Sequence, residues 1–144
     1  MASAYYKIGL QKIIDVDGAG DSARIDMSAD TIKVRTIRTG VYVFSANDAS
    51  MTPITAAVGQ PADPTLGTKS LKTTTDGGCF GAANTVFSAY NLNATAVTAC
   101  IIYRFTTSDA GSIPIVYLDG FTFTPNGGDI TLQWAASTPF IFKI

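Results

Sequence analysis

The sequence predicts an all-β chain: an antiparallel β-sandwich with jelly-roll or Greek-key wiring and a long irregular loop at about 45–67. Three observations point there. Apolar residues recur with a period of two in short runs, and the helical period never lasts. Turn signals of Gly, Asn, Asp and Pro separate those runs at the spacing of sandwiches and barrels. Glutamate, favoured on exposed helix faces, is absent, since all 11 acidic residues are aspartate. At 144 residues the chain is expected to form one domain, 1–144, with an N-terminal arm.

In order along the chain, Tyr6, Ile8 and Leu10 alternate with Tyr5, Lys7, Gly9 and Gln11, which predicts an opening strand with one wet face. It ends in the Asp- and Gly-rich turn 15–21. Over 31–38, Ile32 and Val34 point one way while Lys33 and Arg35 point the other. After Gly40, Val41, Tyr42, Val43 and Phe44 read as a short strand apolar on both faces. Pro53, Pro61 and Pro64 interrupt 45–67, which is expected to leave the sandwich as a reaching arm. Strands follow over 69–75, before a turn at 76–78, and over 84–90. Val97, Ala99, Ile101, Tyr103 and Phe105 then form one face of a long strand. A further strand at 113–118 is closed by Asp119-Gly120, and Pro125-Asn126-Gly127-Gly128 is a second strong turn. Ile130, Leu132 and Trp134 share a face, with Trp134 as a core anchor, and Phe140, Phe142 and Ile144 alternate to the end.

Composition narrows the function classes. Histidine, the commonest general base, is absent, so Ser–His–Asp and Cys–His arrangements and imidazole zinc sites cannot be assembled. Paired aspartates remain formally open to glycoside hydrolysis, but Asp15, Asp17, Asp76, Asp119 and Asp129 each lie close to glycine, where they serve turns. The expectation is therefore no enzyme, no metal and no cofactor. Asp15, Asp17 and Asp21 with Gly20 and Asp26 partly mimic a calcium loop, yet the fifth position is Ala19 and the flanks read as strands. Cys79 and Cys100 are expected as reduced, buried side chains. Asn93-Ala94-Thr95 matches a glycosylation pattern, which matters only on secretion. The net charge of −1 favours no nucleic-acid partner, and no apolar window is long enough for a membrane span. The N-terminus lacks a signal-peptide layout, so synthesis in the cytoplasm is expected. Charged residues make up 15% of the chain, against about a quarter in typical soluble domains, which suits a surface rich in uncharged Thr, Ser and Asn, one covered by partners, or both.

The C-terminal part also carries a resemblance. Ala99-Cys100-Ile101-Ile102-Tyr103-Arg104, a loop, and Ile113-Pro114-Ile115-Val116-Tyr117-Leu118-Asp119 come first. Gly127-Gly128, Ile130-Thr131-Leu132-Gln133-Trp134 and Ile141-Phe142-Lys143-Ile144 follow in the same order. This succession, over roughly 84–144, resembles small tailed-phage capsid-associated proteins encoded near the major capsid protein, some of which are decoration (cement) proteins. The resemblance implies a virion structural protein on the outer capsid surface. Its partners would be the major capsid protein and further copies of itself, as a homotrimer. Candidate capsid or subunit contacts are the basic residues Lys33, Arg35 and Arg38 and the terminal Phe140 and Phe142. A tail, fibre-base or head–tail joining protein is the alternative. A carbohydrate-binding module comes next, although Tyr5, Tyr42 and Tyr90 are too scattered in sequence to form a row.

Overall fold

The computed structural model describes residues 3–14, 24–54, 56, 60–74, 77–91, 95–135 and 141–143. The calcium-like aspartates at 15, 17 and 21, Asp76, Asn93, Phe140 and Ile144 lie outside these residues. Among the described residues the chain forms β1 (Ser3–Tyr5), α1 (Lys7–Ile14), β2 (Ile32–Arg38), β3 (Ser70–Thr74), β4 (Gly77–Gly81), β5 (Thr85–Phe87), β6 (Val97–Arg104), β7 (Ile113–Phe123), β8 (Ile130–Leu132) and β9 (Phe142–Lys143). All pairings are antiparallel. A four-stranded sheet runs β1-β7-β6-β2, a three-stranded sheet β3-β4-β9, and a two-stranded one β5-β8. No sheet closes into a barrel, and spatial neighbours such as β1 and β7 are remote in sequence. The all-β reading holds.

The large sheet is covered on both faces, which explains why β6 is almost wholly apolar. On one face Val34, Cys100, Ile102, Val116 and Leu118 meet Phe80, Phe87, Trp134 and Phe142 from the smaller sheets and the segments beside them. On the other, Ile37, Ala99, Ile101 and Tyr103 pack under Tyr6, Met51 and Ile54, with Tyr42 and Phe44 at the margin. The first face is a sandwich core, whereas the second is roofed by irregular chain.

That roof corrects the expected reaching arm at 45–67. Met51, Ile54 and Leu66 are fully buried, so the described part of the segment lies against the sheet. It also closes the outer edge of β2. The Val34 N–H donates to the Pro64 carbonyl (3.1 Å), the Leu66 N–H to the Ile32 carbonyl (2.8 Å) and the Thr36 N–H to Gln60 Oε1 (2.7 Å). Prolines break regular pairing, yet scattered groups of the segment still satisfy the strand edge.

Other expected elements shift for identifiable reasons. The opening strand stops at Tyr5, and residues 7–14 are helical. Alternation over so few residues does not separate strand from helix, and packing decided it. Ile8 joins one core and Ile13 the other, with Gly9 buried against β7. Residues 41–44 pair with no strand, though their alternation is real: Tyr42 and Phe44 turn inward while Val43 is 86% exposed. The strand expected at 84–90 is shorter, and Ala89 has a positive φ of 51° in the turn after it. The turn expected at 76–78 does not include Gly77 and Gly78, which belong to β4. Trp134 lies beyond the end of β8 but is buried as expected, with Nε1–H donating to Thr85 Oγ1 at 2.9 Å. Asp119-Gly120 does not end β7, which continues through a bulge to Phe123.

Candidate contact surface

The three basic residues of β2 prove to have three different environments. Lys33 is half-buried, with its ammonium 3.8 Å from the centre of the Phe105 ring. Arg35 is not on a solvated face at all. The segment that closes the β2 edge buries it, leaving 8% of the residue exposed. Its Nε donates to Asp63 Oδ2 (2.8 Å), Nη1 to the Ile54 carbonyl (2.8 Å), and the Nη1/Nη2 pair to both oxygens of Asp109 (2.9 Å each). Burial works against the charge, but the two carboxylates outweigh it and hold Arg35 firmly protonated. Arg35 is therefore an internal clamp joining β2, the 45–67 segment and the loop before β7, and not a docking cation. Arg38 is half-buried, and its Nε is enclosed without a hydrogen-bond acceptor among the described residues. Beside it in the chain stand Val41, 41% exposed, and Val43.

Phe142 leaves the contact surface as well. It is 3% exposed, with its ring centre 5.3 Å from that of Phe80 and 6.0 Å from that of Tyr5, so it closes the core of its own chain. Phe140 lies outside the described residues.

The strand expected at 69–75 is present as β3, and what sequence reasoning missed is its exposure. β3 forms one edge of its sheet, with Leu71, Lys72 and Thr73 exposed and Leu71 retaining 57% of its surface. Lys72 on such an edge is a common guard against indiscriminate sheet pairing. The one available signal was the polar run around a single leucine, Ser70-Leu71-Lys72-Thr73, which marks a strand with little to bury.

Among the described residues no group of three or more Cys or Asp side chains is placed to hold a metal ion. Asp26, the last member of the calcium-like pattern, accepts from the Ser28 N–H (2.9 Å), the Ser28 hydroxyl (2.6 Å) and the Ala29 N–H (3.1 Å), a local turn. These bonds, led by that of the hydroxyl, hold its carboxyl below the usual range. Cys79 and Cys100 are both buried and are not joined to each other by a disulfide, and burial pushes the Cys100 thiol well above its ordinary value. Iodoacetamide at mildly alkaline pH is expected to leave both unlabelled in the folded protein and to label both in denaturant. Mass spectrometry checks this, and rapid labelling of the native chain would contradict the burial.

Two fully buried tyrosines set a pH limit. The Tyr6 hydroxyl lies 3.0 Å from that of Tyr42, which donates to Asp48 at 2.6 Å, and Tyr103 donates to Asp63 at 2.6 Å. Burial raises both phenols far above the usual tyrosine value, aided by the bond to Tyr42 for Tyr6 and to Asp63 for Tyr103. A raised acid stays protonated when folded and ionises on unfolding. Its contribution is therefore complete below the unfolded pKa of about 10 and is lost above it, by about 1.4 kcal/mol per pH unit for each tyrosine. Urea midpoints are expected to fall steeply above about pH 10, with the last rise in phenolate absorbance coinciding with unfolding.

No protein family, curated protein or solved structure matches this chain, so its reading rests on its own residues and geometry.

Proposed function

We propose that the chain is a virion structural protein that binds the outside of a phage capsid and stabilises it as a decoration (cement) protein. The observation that carries this reading is the β3 edge, which pairs with no further strand among the described residues and exposes Leu71, beside a main sheet covered on both faces. An unpaired edge accepts a strand from a neighbour through main-chain hydrogen bonds, and an exposed leucine gives that pairing a side-chain anchor. Low charge and the absence of histidine and glutamate agree with a role in assembly. So does the succession of apolar segments that resembles phage capsid-associated proteins, which here supplies β6, β7, β8 and β9. The action is mechanical. Many copies bind only the assembled shell, and binding to that state stabilises it by mass action. The partners are the major capsid protein and further copies of the chain, as a trimer.

The test adds purified protein to shells that lack it. Expected results are co-sedimentation, a higher temperature of shell disruption, and a trimer by light scattering. Leu71→Glu is expected to fold normally and to weaken capture by about tenfold or more, equivalent to about 1.4 kcal/mol. Failure of the wild-type chain to bind shells would refute the proposal.

A further inference from the structure

The β6–β7 ladder breaks at one place. Ala99 lies opposite Asp119, yet Val97 lies opposite Phe123, so residues 120–122 of β7 answer Thr98 alone. Gly120 adopts a φ of +85° there, which other residues strongly disfavour, and the strand bulges outward. The bulge leaves an open depression of about 540 Å³ lined by Thr98, Tyr117, Asp119, Gly120, Phe121 and Thr122.

Asp119 is the exception among the described aspartates. Asp26, Asp30, Asp48, Asp63, Asp109 and Asp129 each accept a hydrogen bond from the chain. Asp119 is half-buried between two aromatic residues of its own strand, and its carboxylate makes no hydrogen bond or ion pair with any described residue. A carboxylate only accepts, and its two oxygens match a pair of neighbouring hydroxyl donors. The threonine hydroxyls at 98 and 122 both donate and accept. The half-buried Tyr117 and Phe121 offer apolar ring surface against which C–H groups can pack. Hydroxyls paired on one side and C–H groups on the other describe a sugar ring. The volume lies within the usual span for small-ligand sites, about 300–1,000 Å³.

We propose that this depression is a glycan-binding site that takes a neutral sugar residue of an oligosaccharide or polysaccharide. A lysine-like cation would also be drawn to a carboxylate flanked by rings. It would leave the two threonine hydroxyls and most of the width unused, so the sugar is the better match. The aromatics that build the site are Tyr117 and Phe121, and not Tyr5, Tyr42 and Tyr90, of which Tyr90 is fully buried. The proposal does not rest on the assembly role.

A built-in reporter lies alongside. Phe121 and Thr122 also wall a second, more apolar cavity of about 290 Å³ that contains Trp134, the single tryptophan. The experiment titrates the intact protein with maltohexaose, cellohexaose, laminarihexaose, xylohexaose, mannohexaose and chitohexaose to tens of millimolar. Amide resonances and tryptophan emission are followed. At least one sugar is expected to shift Gly120, Phe121 and Thr122 saturably and to alter the emission. Asp119→Ala is expected to weaken that binding at least tenfold without lowering the melting midpoint, because the Asp119 carboxylate holds no described residue in place. Thr122→Ala, on an exposed side chain, serves as a second and smaller reduction. The proposal is overturned if no sugar shifts these residues, if both variants bind like the wild type, or if lysine methyl ester occupies the site and the sugars do not.

Discussion

Replacing Arg35 by methionine is expected to destabilise the fold by about 3–5 kcal/mol, because it strands a buried carboxylate rather than because it removes an attraction. Asp63 retains 8% of its side-chain surface and Arg35 10%, so neither charge has water to fall back on. Removing the cation leaves Asp63 facing, among the described residues, Tyr103 and Gln60. The clamp also ties the 45–67 segment to β2, so its loss frees the cover of that edge. Asp109 shares the same guanidinium but keeps 45% of its side-chain surface, which predicts that Asp109→Asn costs only about 0–1 kcal/mol. The double variant Arg35→Met with Asp63→Leu is expected to lose less than Arg35→Met alone, since it removes the stranded charge. Thermal unfolding checks the series, with a drop of about 10 °C or more for the single arginine variant. Equal losses for Arg35→Met and Asp109→Asn would show that the buried carboxylate is not the dominant cost.

Gly9→Ala is expected to lose about 2–3 kcal/mol, opposite in sign to the gain of about 1 kcal/mol that alanine gives over glycine in an open helix. The reason is contact between backbones. A Cβ at Gly9 would stand 2.5 Å from the Pro114 carbonyl oxygen and 2.6 Å from Ile115 Cα, and neither can rotate aside. The whole of α1 would have to lift off β7, taking Ile8 and Ile13 out of the two cores. Gly78 is the control: nothing lies within 4 Å of its Cβ position, and Gly78→Ala is expected to change stability by less than about 0.5 kcal/mol. Urea midpoints for the two variants decide this, and a stabilised Gly9→Ala would show that α1 does not press on β7.

These two sites show how far the sequence could be read. The all-β class, the strand cores of β2, β6 and β7 and the burial of Trp134 were legible because alternation and turn residues report local geometry directly. The helix was not, because Tyr6, Ile8 and Leu10 satisfy a period of two as well as a short helical turn, and only the fit of Gly9 against β7 separates them. The burial of Arg35 was illegible for a different reason. Its partners Asp63 and Asp109 lie 28 and 74 residues away, and the intervening prolines read as an arm leaving the fold. Phe142 looked like a possible trimer contact because a terminal aromatic gives no sign of which chain it packs against. The β7 bulge was hidden because Asp119-Gly120 carries the same residues as an ordinary strand-ending turn.

The central claim, that the chain coats a capsid, is tested most directly by its copy number in particles purified from its source, measured by gel densitometry against the most abundant shell protein. The account predicts a number comparable with that of the shell subunit. A few to a few dozen copies would move the chain to the tail or connector and contradict decoration, as would its absence from the particles.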